Sequence, residues 1–345
     1  MYVFASRFAL NFFLRDTPMS SLKKDHNPSG GRIKDIQMTY IDWITAYILH
    51  KTGMKSKVFI NFDKGKSMLH TKILHDAICL ICRNSDTIRS MAIILVTNDD
   101  GVHSPGLVSL FNAMKELGDA YVIAPDRERS AVSHALTMHK PLRVEKLRER
   151  VYSINGTPTD CVTIGINKIL PDKPAFVVSG INKGANLGDD ITYSGTVSAA
   201  IESTIMGIPS FAVSLVIAKK PALPLHFDTA AGFAKKIGGY ILDNSLPYDT
   251  LLNVNVPDVS LNNIKGIKFT RQGKRIYEGS VHETFDPHGE KHYWIGGGTP
   301  YWEHGDDTDI QAIQENHISI TPIHLDLTNY DALQFLRDRL KLDIG

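Results

Sequence analysis

The chain has 345 residues, a formal net charge of +1, and a composition of 43% hydrophobic and 22% charged residues. Those values are typical of a globular protein with a sizeable core, and the near-neutral charge excludes a strong attraction to nucleic acid or to a membrane surface. Three cysteines do not make a disulfide framework and are typical of a reducing compartment. We therefore expect a cytoplasmic protein with neither nucleic acid nor a membrane as its partner.

The first ninety residues show no sustained alternation of strands and helices. They open on MYVFASRFALNFFLR, which lacks the continuous apolar segment and the cleavage site of a secretory signal. Two short apolar stretches, 41–49 and 73–82, are candidate helices. Cys79 and Cys82 have the spacing of half a zinc site, but no second cysteine pair follows, so a structural role is favoured. We interpret residues 1–90 as an N-terminal extension of unknown order or a mis-assigned start.

From residue 91 onwards, strands alternate with helices as in a parallel sheet that is covered on both faces. The run IILVT at 93–97 has the continuous apolar character of a strand buried on both sides. Ser104 and Pro105 are suited to begin a helix as its N-cap and first residue, and Gly118 is suited to end it. Further strands are predicted at 120–124, 176–179, 211–216 and 251–256, and further helices from Thr157 and from Ser194 or Thr196.

The sequence pattern changes after about residue 250. Short runs broken by glycines and polar loops are interpreted as antiparallel hairpins, at 265–270, 275–277, 293–294 and 317–321. A closing amphipathic helix is predicted at 330–340. We expect residues 91–345 to form one domain, in which 260–345 includes an arm that packs on a partner subunit.

Polar side chains follow three of the predicted strands at their carboxyl ends. Asp99 and Asp100 follow the first strand, Ser130 closes the segment after the second, and Asn182 follows the third. Ligands of open α/β sheets bind outside the carboxyl ends of the strands, so these side chains are expected at one edge. Carboxylates, amides and hydroxyls suit Mg²⁺, Mn²⁺ or Ca²⁺ better than zinc. Asn-Asp-Asp-Gly is also good turn chemistry, which is the competing interpretation of the two aspartates.

A second candidate feature is the segment Tyr193-Ser194-Gly195-Thr196, a small hydroxyl-rich loop that enters a helix. Backbone N–H groups and the helix dipole would bind a phosphate there, although an ordinary N-cap explains the segment equally well. His103 is close in sequence to the aspartates and is a candidate general acid, against the commoner role of a hydrogen-bonded loop residue.

Five segments together resemble the SurE family of survival-protein phosphatases, in the right order and at plausible spacing. The segments are ILVTNDDGVHSPG, APDRERSAVSHALT, NGTPTDCV, VVSGINKGANLGDDITYSGTVSAA and GIPSFAVSL. The resemblance implies an α/β fold with a Rossmann-like parallel sheet and a C-terminal β-hairpin and helix arm that assembles a homodimer or homotetramer. It also implies a metal-dependent phosphatase for 5′- and 3′-nucleoside monophosphates, with short polyphosphate as a further substrate of some members.

The resemblance also implies roles for particular residues. One Mg²⁺ or Mn²⁺ per subunit would be bound by Asp99, Asp100, Ser130 and Asn182. Beyond the resemblance, we predict that Asp99 and Asp100 are the catalytic carboxylates and that Asp99 orients or deprotonates the attacking water. The substrate phosphate would contact Asn186, Ser194, Gly195 and Thr196.

A receiver-like regulatory domain is the alternative from another functional class. Receivers also carry paired acids after their first strand and bind Mg²⁺, but they are phosphorylated once, on a further aspartate, without turnover. The third predicted strand here ends in Asn182, which cannot be phosphorylated in that way. The sequence therefore favours the enzyme.

Overall fold

The computed structural model describes residues 92–218, 223–276, 281–295, 301–302 and 305–342. The two helices and the Cys79–Cys82 pair predicted within residues 1–90 lie outside the described residues. No helix in the described ranges is both long enough and apolar enough to cross a bilayer.

The described elements follow the alternation that the sequence predicts. In chain order they are β1 (Ile93–Thr97), α1 (Pro105–Met114), β2 (Asp119–Pro125), β3 (Val144–Arg148), β4 (Val151–Ile154), α2 (Pro158–Ile164), β5 (Phe176–Lys183), α3 (Gly195–Ile205), β6 (Ser210–Val216), α4 (Phe227–Asn244), β7 (Thr250–Pro257), β8 (Gly266–Phe269), β9 (Arg275–Ile276), β10 (Val281–Phe285), β11 (Lys291–Ile295), β12 (Tyr301–Trp302), α5 (Asp309–Gln314), β13 (His317–His324) and α6 (Tyr330–Arg339). A π-helical turn, Gly165–Ile169, extends α2, and 3₁₀ turns occupy Gly188–Thr192 and Leu261–Asn263.

Nine of these strands form one sheet, in the order β3-β4-β2-β1-β5-β6-β7-β13-β8. The six strands from β4 to β7 in that order are parallel to one another, which confirms the Rossmann-like sheet. β3 and β13 run antiparallel to β4 and β7. The chain builds outward from β1 to β2 and then crosses back to β5 on the other side of β1. Such a switch point is where open α/β sheets bind ligands.

Hydrophobic cores cover both faces of the sheet, and β1 contributes to both of them. Ile94 and Val96 face the core formed with α1 and α4, whereas Leu95 faces the core formed with α2 and α3. Successive side chains of a strand point to opposite faces, so a strand covered on both sides must be apolar at every position. That requirement explains the continuous apolar run at the start of the domain, and it fixes the position of the loop that follows β1.

The predicted helix starts are confirmed by their capping hydrogen bonds. The Ser104 hydroxyl accepts from the Leu107 N–H at the start of α1. Thr157 and Asp160 form a reciprocal capping box at the start of α2. Ser194, rather than Thr196, caps α3 and accepts from the backbone of its third residue.

The prediction that 265–270 and 317–321 form separate hairpins is wrong. These segments are β8 and β13, which join the main sheet and pair in parallel with each other. β13 extends the sheet because Ile318 and Ile320 alternate with small polar residues and enter the core beside β7. Residues 275–276 and 293–294 lie instead in two-stranded ladders, β9 with β12 and β10 with β11.

Candidate active site

Asp99 lies directly beyond β1 and is almost completely buried, with 4% of its surface exposed. Its Oδ1 accepts a hydrogen bond from the Thr196 hydroxyl in the first turn of α3. Its backbone carbonyl accepts from the Arg129 N–H at 2.7 Å, in the loop that follows β2. Asp99 therefore contacts both the loop after β2, which contains the predicted metal ligand Ser130, and the start of α3, which is the predicted phosphate site.

The start of α3 packs so closely on Asp99 that only glycine fits at residue 195. A Cβ atom added to Gly195 would lie 2.8 Å from the Asp99 Cβ and 3.2 Å from the Pro158 Cγ. The N-terminus of α3, with the positive end of its dipole, therefore lies against this carboxylate.

Burial raises the pKa of Asp99 from 3.8 to about 6. The Thr196 hydroxyl opposes that shift by stabilising the ionised form, whereas the neighbouring Asp100 adds to it. The protein thus holds a carboxylate in a place that penalises its charge, with the Thr196 hydroxyl and the backbone N–H groups of Asp99 and Thr196 as partial compensation. A positive charge beside Asp99 would remove that penalty.

Asp100 is half-buried, and it spans the gap between the ends of β1 and β5. Its Oδ2 accepts from the Lys183 N–H at 3.1 Å. Burial raises its pKa, and the nearby Glu128 carboxylate contributes to the increase. Gly101 follows with a φ of +98°, which permits the sharp turn away from the sheet toward α1.

The other two predicted metal ligands lie at the same edge of the sheet, Ser130 in the loop after β2 and Asn182 near the end of β5. The exposed Ser130 hydroxyl donates to the Glu128 Oε1 at 2.7 Å. The Asn182 amide donates to the Gly184 carbonyl at 3.0 Å, which leaves its Oδ1 as the ligand atom. Glu128 is a further carboxylate at this edge, linked to Ser130 by a hydrogen bond and to Asp100 by charge.

The residues predicted to bind phosphate differ in their surroundings. Ser194, Gly195 and Thr196 form the start of α3 against Asp99. Asn186 is buried, and its amide donates to the Ser214 hydroxyl at 2.7 Å. Its side chain is therefore engaged with β6, and its backbone is held by two asparagines of β7.

A cleft of about 420 Å³ opens beside Asp100. The predicted acid, His103, lies on its wall and is exposed. Glu128, from the segment after β2, also lines the cleft, together with three residues that the sequence did not indicate for a site: Lys183, Leu225 and Phe227. Leu225 and Phe227 lie more than a hundred residues after the aspartates, and no short motif connects them with the first strand, so only the folded chain reveals the apolar wall.

The donor set of this site fits a hard divalent cation. No group of three or more histidine, cysteine, aspartate or glutamate side chains in the described part of the chain could hold a metal ion on its own. Two carboxylates, a hydroxyl and an amide match Mg²⁺ or Mn²⁺, which keep several water ligands and need few protein carboxylates. The Asn98 Oδ1, next to the aspartates, is also buried without a hydrogen-bond partner.

Comparisons of the chain with protein families, with individual proteins and with solved structures all find the same family. Residues 94–279 match the family model described as survival protein SurE. Proteins named 5′-nucleotidase SurE from Pelobacter propionicus and Geobacter sulfurreducens are 53% and 52% identical to the chain, over 70% and 71% of its length. The matches cover 97% and 92% of those proteins. The crystal structure of the SurE protein from Aquifex aeolicus superimposes with a TM-score of 0.63 at 43% identity, covering 71% of this chain and 98% of that one.

Proposed function

Because the chain belongs to the SurE family, we propose that it is a divalent-metal-dependent 5′-nucleotidase, which hydrolyses nucleoside 5′-monophosphates to nucleoside and phosphate. The observation that carries this proposal is the hydrogen bond from Thr196 to Asp99. It joins a helix N-terminus suited to phosphate with a buried carboxylate suited to a cation. A receiver-like domain would need a further aspartate to phosphorylate, whereas β5 carries Asn182 near its end, and the named relatives are nucleotidases.

In the proposed reaction, Asp99, Asp100, Ser130 and Asn182 would hold one Mg²⁺ or Mn²⁺. The ion would supply charge neutralisation at the phosphate and a lowered pKa for a bound water. The N–H groups at the start of α3 would stabilise the charge on the equatorial phosphate oxygens, with Ser194, Gly195 and Thr196 forming that turn. Asp99 would orient or deprotonate the attacking water. His103, on the cleft wall, would protonate the leaving oxygen.

We propose that 3′-monophosphates and short polyphosphate are further substrates. A homodimer or homotetramer would form through the region 260–345, where the exposed hairpin of β10 and β11 carries Trp294 and Ile295, which are 67% and 90% exposed. The cysteine content supports a cytoplasmic location.

Phosphate release from a panel of nucleoside 5′- and 3′-monophosphates tests the proposed function. We expect multiple turnovers with Mn²⁺ or Mg²⁺, and no turnover after EDTA. Restoration of activity by added metal ion excludes damage by the chelator. A folded, metal-binding protein that releases no phosphate from any nucleotide would contradict the proposal.

The cleft beside Asp100 predicts how the nucleoside binds. Phe227 begins α4 and presents an aromatic ring to this cleft, on which a base can stack. We expect Phe227→Ala to raise KM for nucleoside monophosphates about tenfold, because stacking on an aromatic ring contributes about 1–3 kcal/mol per base. Ribose 5-phosphate, which has no base, is the matched substrate, and its KM is expected to stay within about twofold. An equal loss for both substrates would show that Phe227 supports the fold of the site rather than the base.

A further inference from the structure

The chain segment just before the phosphate-binding turn is held by residues far away in the sequence. The 3₁₀ turn Gly188–Thr192 leads directly into Ser194 and α3, and no side chain caps its start. The Gly188 N–H donates to the Asp309 Oδ2 at 2.9 Å. The Gly188 carbonyl accepts from the Gln272 side chain, also at 2.9 Å. Both backbone groups of this residue are thus held by the C-terminal part of the chain.

Arg275 makes a second connection between the same two regions. Its backbone N–H donates to the Asp189 Oδ2 at 3.1 Å. Its guanidinium donates to the Asp190 carboxylate at 2.7 Å, and both side chains of this ion pair are about three-quarters buried. The turn is consequently held along its first three residues, from Gly188 to Asp190.

Asp309 is the centre of these contacts, and the local helix does not need its carboxylate. The side chain is completely buried at the first residue of α5. Thr308 already caps that helix by accepting from the Gln311 N–H. The Asp309 Oδ1 accepts from Gly273 and Ile310, each at 2.9 Å, while the Oδ2 is directed at Gly188. Burying a carboxylate is costly, and two of its three N–H donors, Gly188 and Gly273, lie in other segments of the chain, which indicates a role beyond the local helix.

We propose that Asp309 is a positioning residue, which fixes the Gly188 turn and thereby the phosphate-binding start of α3. The role assigned to it in catalysis rests on the proposed nucleotidase function. Gly188 precedes Thr196 by eight residues, so a shift at the turn displaces the N–H groups that contact phosphate. Asp99 and Asp100 follow β1, which Asp309 does not contact, so they are expected to move less than the start of α3. Loss of Asp309 is therefore expected to weaken phosphate binding more than metal binding.

Asp309→Asn tests this proposal with little change in side-chain shape. Both carboxylate oxygens accept from N–H groups, so the amide of asparagine must face a donor and one or more hydrogen bonds are lost. The matched control is Asp307→Asn, the same change on an exposed carboxylate two residues earlier, which pairs with Arg271. We expect faster amide hydrogen exchange in residues 187–197 of the Asp309 variant and unchanged exchange in α1.

Binding measurements distinguish a positioning role of Asp309 from a general loss of folded structure. In the Asp309 variant, inorganic phosphate is expected to bind the Mn²⁺-loaded protein about tenfold more weakly, and kcat/KM is expected to fall by about tenfold or more, since small misplacements near the chemistry are costly. Mn²⁺ affinity, measured by calorimetry, is expected to stay within about threefold. The control variant is expected to match the unmodified protein in all three measurements.

A second variant covers the case in which Asp309→Asn does not fold. Gln272→Ala removes only the exposed side chain that donates to the Gly188 carbonyl, and a smaller change in the same direction is expected. Unchanged exchange and phosphate binding in the folded variants would overturn the proposal, as would an equal loss of metal and phosphate binding. If the unmodified protein releases no phosphate from nucleotides, the proposed function fails, while exchange and phosphate binding still decide the role of Asp309.

Discussion

We expect Asp100→Asn to lower kcat/KM for nucleoside monophosphates by at least about a hundredfold, which corresponds to about 2.7 kcal/mol of transition-state stabilisation. Asparagine has almost the same shape as aspartate, and its Oδ1 can still accept from the Lys183 N–H. The substitution therefore removes one negative charge at the edge of the sheet and leaves the backbone of the loop in place. Steady-state kinetics over a range of Mn²⁺ concentrations measures the effect.

The control for this substitution is Asp119→Asn, the same change at the opposite end of the sheet. Asp119 begins β2 and pairs with Arg150 at 2.7 Å, and both side chains are partly exposed. An exposed ion pair of this kind contributes about 1 kcal/mol or less, so activity is expected to remain within about twofold. If Asp100→Asn kept full activity at low metal concentration, Asp100 would not be a metal ligand.

The central sheet and the loop that contains Asp99 and Asp100 could be predicted because each depends on neighbouring residues in the chain. A strand buried on both faces has to be apolar at every position, and IILVT meets that condition without information from the rest of the molecule. The helix starts at Ser104 and Thr157 are equally local, since an N-cap bonds within its own first turn. The strand ends then indicate where Asp99, Asp100 and Asn182 come together.

The elements that the sequence analysis missed depend on tertiary contacts. α4 contains three glycines, at 232, 238 and 239, and glycine lowers helix propensity by about 1 kcal/mol per residue. Packing of its buried residues against the core, among them Ala230, Ala234 and Ile237, compensates for that loss. β3 is exposed along its whole length and is ordered by pairing with β4, so no apolar pattern marks it.

The contacts of Asn186 in the site could likewise not be predicted from its neighbours in the sequence. Its neighbours in sequence suggest a contact with phosphate, and this role remains a prediction. Its amide is bonded to Ser214 on β6, while Asn253 and Asn255 on β7 hold its backbone. These partners follow it by 28 to 69 residues, and nothing in the local sequence announces them. Contacts with later parts of the chain thus hold the loops of the site in place. Asn186 is held by β6 and β7, and the Gly188 turn is held by Asp309.

The buried Asp99 carboxylate makes the stability of the metal-free protein depend on pH. Burial raises the pKa of Asp99 in the folded protein from its usual 3.8 to about 6, so the fold favours the protonated form. The contribution of Asp99 to stability is therefore greatest when the unfolded chain is also protonated, and it is lost as the pH rises between these two values. At higher pH the penalty is of the order of 2–3 kcal/mol, since each pKa unit corresponds to about 1.4 kcal/mol.

We therefore expect Asp99→Asn to stabilise the metal-free protein against urea at about pH 8 by the same 2–3 kcal/mol, with the difference vanishing near pH 4. Asparagine keeps an oxygen to accept from Thr196 and fits beside Gly195 as aspartate does. Asp119→Asn, in EDTA, is expected to change stability by less than about 1 kcal/mol.

Added Mn²⁺ is expected to reverse the order, because it stabilises the folded protein with Asp99 and has a much weaker effect on the variant, which should also lose turnover. A variant less stable than the unmodified protein in EDTA at high pH would show that the Asp99 charge supports the fold. The expected result would show instead that the site keeps, at the expense of stability, a charge that its metal ion requires.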